Sequence, residues 1–120
     1  MTSTSEPRRG EIWNVRFDLS EGAEISKIRP AVVVNVPEAG RLLLYIVVPI
    51  TAWDERYSLF PWHTKLPPTP TNGLTKTSSA DSFQVKSVSQ KRLLEKLGEV
   101  TEDQLNNIVA AIALCVGYQG

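Results

Sequence analysis

The 120-residue sequence predicts a mainly β domain: a small barrel of mostly antiparallel strands with one amphipathic helix packed on it at the C-terminal end. Three observations predict this. Short runs rich in Val, Ile and aromatic residues are separated by turns and loops rather than helices, so no strand–helix–strand alternation arises. Helical periodicity is clear in one place, from Leu105 to Val116. The length suits a single core, and with one cysteine, Cys115, no internal disulfide supports it.

The elements follow in order. Glu11 to Leu19 alternates, with Ile12, Val15, Phe17 and Leu19 apolar and Glu11, Asn14, Arg16 and Asp18 between them, which predicts the first strand. Ser20 to Ile28 is a polar, glycine-containing loop, and Ala31 to Val36 a second strand. Proline fixes its own φ and biases the preceding residue toward an extended conformation. Arg29-Pro30 therefore aims a guanidinium from the junction of that loop with the sheet. Pro37-Glu38-Ala39-Gly40 is a turn. Leu42 to Thr51 is a third strand, apolar on both faces and hence central, and Pro49 requires a bulge or an unpaired N–H position near its end.

Ala52 to Pro61 is an aromatic, charged loop with room for a short helical turn. Trp62 to Leu66 forms a strand that Pro67-Pro68 stops, and a surface loop runs on to Gly73. Ser78 to Lys86 is extended, Ser89 to Leu93 suits one helical turn, and Leu94 to Val100 is a last short strand. Thr101-Glu102-Asp103-Gln104 is a capping box. Leu105, Ile108, Val109, Ile112 and Val116 follow on one helical face, and Gly117 ends the helix.

Residues 1–8 read as a disordered tail and 9–120 as one domain, without repeats or an internal linker. The N-terminus lacks the apolar segment of a secretory signal, and the longest apolar run, the nine residues Leu42 to Ile50, is too short to span a bilayer. A cytoplasmic protein without a membrane partner is the expectation. Cys115 lies in an apolar helical stretch and reads as a buried structural thiol. No Cys/His spacing suggests a metal, and the single histidine, His63, excludes a paired-histidine ribonuclease mechanism within one chain.

Net charge is zero, against a general nucleic-acid coat protein. Its distribution is uneven. From Pro61 to Lys96 six basic residues (Lys65, Lys76, Lys86, Lys91, Arg92, Lys96) face two acidic ones (Asp81, Glu95). This permits a local phosphate-binding patch, though a solvated mixed surface fits the charges equally well. Arg29 can bind a phosphate or carboxylate bidentately, or be an ordinary surface arginine. Thr51 follows a buried strand, where a hydroxyl is held stiffly, but it is also a common strand-end residue. Glu24 is by default a solvated charge. His63 reads as a strand residue on a half-buried face rather than as a catalyst. Trp53, Tyr57, Phe60 and Trp62 are core residues or, where exposed, stacking platforms for unpaired bases.

Several segments in order resemble the PemK/MazF-like toxins of bacterial toxin–antitoxin systems. They are Arg9-Gly10-Glu11-Ile12-Trp13, Gly22-x-Glu24-Ile25-x-Lys27-x-Arg29-Pro30-Ala31 through Val34, Val48-Pro49-Ile50-Thr51, Gly73-Leu74-Thr75-Lys76-x-Ser78 and Gln84 to Val88. The resemblance implies a metal-independent, sequence-selective endoribonuclease (an mRNA interferase) on an SH3-like, homodimeric barrel, acting on single-stranded RNA without a cofactor and restrained by a cognate antitoxin. It places the catalytic arginine on Arg29, the catalytic threonine on Thr51 and the loop glutamate on Glu24. Gln84 matches a substrate-contacting glutamine and Ser78 the serine ahead of that strand; Lys27, Lys76 and Lys86 join them as RNA-binding candidates. The region from Ala52 to Asn72 departs from the family pattern, so the bases read at the cut site do not carry over. Other readings of such a barrel are a CcdB-like inhibitor of a protein target such as gyrase, or a catalytically silent RNA- or antitoxin-binding module.

Overall fold

The computed structural model describes residues 6–17, 27–37 and 43–118. Among these residues seven strands and one α-helix follow in chain order: β1 (Glu11–Phe17), β2 (Lys27–Val33), β3 (Leu44–Ala52), β4 (His63–Leu66), β5 (Ser78–Asp81), β6 (Lys86–Ser89), β7 (Leu93–Glu99) and α1 (Glu102–Cys115). Short 3₁₀ turns occupy Glu55–Leu59, Ser82–Gln84 and Gln90–Arg92. The strand order is β4-β5-β3-β2-β1-β7, with β6 also on β3, and every pairing is antiparallel. The mainly β architecture with one C-terminal helix matches the sequence expectation.

Side chains alternate across the sheet, and each face has its own apolar cluster. Trp13, Val15, Phe17, Ala31, Val33, Tyr45, Val47, Val88 and Leu93 fill one. Ile12, Val32, Val34, Val48, Ile50, Leu66 and Ala80 form the other, which Ile108 of α1 covers. Ile12, Val32 and Val48 are fully buried, and each such burial contributes about 1.5–3 kcal/mol. The capping box at the start of α1 is complete: Gln104 N–H donates to Thr101 Oγ1 at 3.1 Å and Thr101 N–H donates to Gln104 Oε1 at 2.9 Å. No helix among the described residues is long and apolar enough to cross a membrane.

The second strand is shifted from its expected place. It starts at Lys27 rather than Ala31 and ends at Val33 rather than Val36. Lys27 enters it with a φ of 68°, in the left-handed region. Residues Lys27 to Pro30 then pair with β1, while the ladder to β3 begins only at Ala31. Among the described residues Pro30 thus sits in a stretch flanked by β1 alone, where a missing N–H is tolerated. The strand stops because Asn35 substitutes a side chain for backbone: its Oδ1 accepts from Ile46 N–H at 3.2 Å. The expected extension of the first strand to Leu19, the loop 18–26 and the turn at 38–40 lie outside the described residues.

β3 is central, as its apolar faces imply. Its first part lies between β2 and β6, and its end pairs with β5. Pro49 sits at the handover: it is opposite Ala31, the last pair of the β2–β3 ladder, and from Ile50 onward β3 pairs with β5. The extended Ser78–Lys86 segment is broken by the 3₁₀ turn at Ser82–Gln84, which Asp81 caps by accepting from Phe83 N–H at 3.1 Å.

Candidate functional site

Arg29 lies in the part of β2 that has β1 on one side only, opposite Val15. It is exposed, and its side chain has no hydrogen bond or ion pair among the described residues. Among the described residues nothing occupies its guanidinium donors, which suit bidentate binding of an anion. Thr51 is half-buried near the end of β3, directly opposite Ser79 of β5. Arg29 and Thr51 share a face. Residues 29, 31 and 33 of β2 alternate onto the side of the Ala31–Val33 cluster, and 47, 49 and 51 of β3 onto the same side.

Lys86 opens β6 opposite Val47, which places it on that face too, with its Nζ 5.7 Å from the centre of the Phe17 ring. Lys27 is exposed opposite Phe17. Three cations and a hydroxyl therefore border one end of this core cluster. Gln84 is near them in sequence but engaged, its Nε2 donating to Asp81 Oδ2 at 3.3 Å. Lys76 is exposed in the approach to β5. Ser78 is buried and its hydroxyl donates to the Lys76 carbonyl at 2.8 Å, so its place is inward, beside rather than in the cationic group. Glu24 lies outside the described residues.

The basic segment divides by what its members touch. Lys96 is held by Glu11 at 3.1 Å and Glu99 at 3.4 Å. Burial works against the Glu11 carboxylate, but hydrogen bonds from Trp13 Nε1 and Arg8 N–H, together with Lys96, keep it below its usual range. Lys65 sits 5.0 Å over the Trp53 ring. Neither of these two is placed like Arg29.

His63 proves more connected than a half-buried strand residue need be. Its Nδ1 is 2.7 Å from Ser79 Oγ, and its ring stacks on Tyr57 with centroids 3.7 Å apart. Burial pushes the imidazole below its usual range, and the Asp81 carboxylate, 4.0 Å from Nε2, opposes this without overcoming it. The ring is accordingly neutral at neutral pH. Composition alone does not reveal this group; the signal is strand parity, which sets Ser79 and Asp81 on the face of Thr51. Of the aromatics singled out, Phe60 is exposed and stacks on half-buried Trp62, whose other neighbour is exposed Phe83. Trp53 and Tyr57 are half-buried over β4. Cys115 is half-buried, less enclosed than expected, and burial raises its thiol.

The comparisons with known proteins agree with this architecture. Residues 8–116 match the model of the PemK-like, MazF-like toxin of type II toxin–antitoxin systems. The endoribonuclease MazF9 of Mycobacterium tuberculosis is 34% identical over 113 residues, covering 89% of this chain and 93% of its own. A probable endoribonuclease MazF of Mycolicibacterium smegmatis is 26% identical, with 94% and 99% covered. The fold is similar to the crystal structure of MazF from Deinococcus radiodurans, with a TM-score of 0.78 at 20% identity over 95% of this chain and 99% of that one. A mycobacterial endoribonuclease in complex with its cognate antitoxin superposes with a TM-score of 0.73 at 23% identity, covering 95% and 98%. With a family model spanning nearly its whole length, this chain belongs to the PemK-like, MazF-like toxin family of type II toxin–antitoxin systems.

Proposed function

We propose that this toxin is a metal-independent endoribonuclease that cuts single-stranded messenger RNA sequence-selectively in the cytoplasm. The observation that carries the reading is the exposed Arg29, whose side chain meets no partner among the described residues, on the same sheet face as Thr51, in a chain of this family. RNA cleaves when a 2′-OH attacks the adjacent phosphorus, and a catalyst must orient that attack, neutralise the phosphoryl oxygens and move two protons. A guanidinium enters the reaction protonated and is therefore a poor general base. Arg29 therefore stabilises the phosphoryl charge and donates a proton to the leaving oxygen, while the Thr51 hydroxyl positions the phosphate. Lys27, Lys86, Lys76 and Gln84 serve as further contacts to the strand, and Glu24 orients Arg29 or accepts a proton. The products are a 2′,3′-cyclic phosphate, or the 3′-phosphate from its opening, and a 5′-OH.

Exposed Phe60 and Phe83, with Trp62 between them, offer faces on which unpaired bases stack. A homodimer fits the apolar side chains left open at Leu43, Leu44 and Ile46, and light scattering should return twice the 13.3 kDa chain mass. The decisive experiment incubates purified protein with a long messenger RNA in EDTA. Discrete fragments with 5′-OH ends support the proposal. Intact RNA at high protein concentration overturns it and returns the choice to a gyrase-type protein target or a silent binding module.

A further inference from the structure

We infer that His63 is a positioning residue for the reaction at Thr51, acting through a partly buried hydrogen bond to Ser79. This rests on the role proposed above for Thr51. The reason lies in how Thr51 is supported. The β2–β3 ladder ends at Ala31–Pro49, so beyond Pro49 the backbone of β3 is paired through Ile50, Thr51 and Ala52 to β5 alone. β5 is only four residues long, and its other edge is β4. The stiffness of the platform under Thr51 therefore depends on how firmly β4 holds β5.

His63 supplies that hold on the face of the sheet that carries Thr51. Ser79 is directly opposite Thr51 on one side and Lys65 on the other, and His63 is directly opposite Asp81. Directly opposed side chains share a face with Cβ atoms about 4.5–5.5 Å apart, and diagonal neighbours remain within reach of long side chains. The His63 ring uses such a diagonal to meet Ser79 Oγ at 2.7 Å. Ser79 is 0% exposed, and no buried polar side-chain atom among the described residues lacks a partner. Breaking the bond would thus leave a hydroxyl unsatisfied beside Thr51.

The ring itself is fixed. Tyr57 stacks on it with planes 5° apart, and burial keeps it neutral, with one nitrogen to donate and one to accept. The other end of the group reaches a second expected contact to RNA. Asp81, opposite His63, accepts from Gln84 Nε2 at 3.3 Å. One largely enclosed polar group thus borders both Thr51 and Gln84.

The test uses the full chain and a short single-stranded RNA containing a cut site mapped on messenger RNA. His63→Phe keeps a flat ring for Tyr57 and removes both nitrogens; Ser79→Ala removes the other partner. Displacement of a reacting group by about 1 Å costs up to about 100-fold in rate, so each variant should lose about 10-fold or more in kcat with KM within about 2-fold. The double variant should be no slower than the slower single one, because both remove the same bond. His63→Asn, whose amide occupies the place of Nδ1, should recover most of the rate. Melting curves confirm that each variant is folded at the assay temperature, and Ser79→Ala alone decides if His63→Phe does not fold. Cleavage by Ser79→Ala within about 2-fold of the wild-type kcat, or strictly multiplicative losses in the double variant, would overturn the inference while leaving the nuclease reading intact. A wild-type protein that leaves the RNA uncut overturns both.

Discussion

Arg29 and Thr51 stand at matching positions past the end of one ladder: Arg29 lies two residues before Ala31 and Thr51 two after Pro49, its partner in the last β2–β3 pair. The two strands are paired up to the point where the site begins and are not paired beyond it. In the proposed reaction the phosphate would meet a cation and a hydroxyl that both start from paired backbone.

Replacing either residue should remove most of the cleavage. Losing a group that stabilises transition-state charge typically costs about 10²–10³ in rate, and that range is expected for Arg29→Ala and for Thr51→Ala. Both side chains lie outside the apolar clusters, so melting temperatures should stay near the wild-type value. Cleavage of messenger RNA by Arg29→Ala at the wild-type rate would move the site to the segment around Lys76 and Lys86.

Acid should loosen the fold through His63. Burial sets its folded value below the usual 6.5, so the folded state resists a proton that the unfolded chain accepts. The resulting stability is complete above pH 6.5 and is lost as pH falls from there through the folded value. Around the ring, Asp81 faces it from β5, Tyr57 covers it, and Lys65 on β4 is drawn to Trp53. On the helix side Asn107, Ala110, Ala111 and Leu114 carry no charge. Melting temperature measured against pH should fall below pH 6.5 in the wild type, and His63→Asn should flatten that part of the curve. An unchanged slope in the variant would assign the acid sensitivity elsewhere.

Gly73 and Gly117 should respond differently to alanine. Both have positive φ, 71° and 77°. A Cβ on Gly73 would lie 2.3 Å from the Leu97 carbonyl oxygen, where the loop crosses β7, whereas one on Gly117 meets nothing within 4 Å. Gly117→Ala therefore costs only the backbone term, about 1–2 kcal/mol. Gly73→Ala adds a backbone collision and should cost more than about 3 kcal/mol in urea unfolding. Equal losses would show that the loop can retreat from β7.

Much of this was legible in the residues. The capping box, the helix face from Leu105 to Val116, the β1 alternation and the centrality of β3 are local patterns, and local patterns survive folding. The placing of Arg29 next to Pro30 was equally direct. The start of β2 at Lys27 was not, because a lysine and an arginine beside a proline read as loop until β1 is there to pair with them. The bond from His63 to Ser79 spans sixteen residues and depends on the register of β4 on β5. No spacing in the chain announces a register between two four-residue strands.

The antitoxin should compete with RNA for the same cations. Arg29 and Lys27 are exposed at the rim and Lys86 shares their face, so a strand of phosphates or a run of carboxylates meets the same donors. Apolar side chains of an amphipathic segment would take the place of stacked bases on Phe60 and Phe83. A disordered acidic antitoxin tail that folds onto this face is therefore expected to exclude RNA. Titrating the inactive Thr51→Ala protein with labelled RNA and then with a peptide from the cognate antitoxin should displace the RNA completely. Raising salt should weaken the RNA complex steeply, since each neutralised phosphate releases counterions. A ternary complex with undiminished RNA affinity would place the antitoxin on another face and leave Arg29 and Lys27 to the RNA alone.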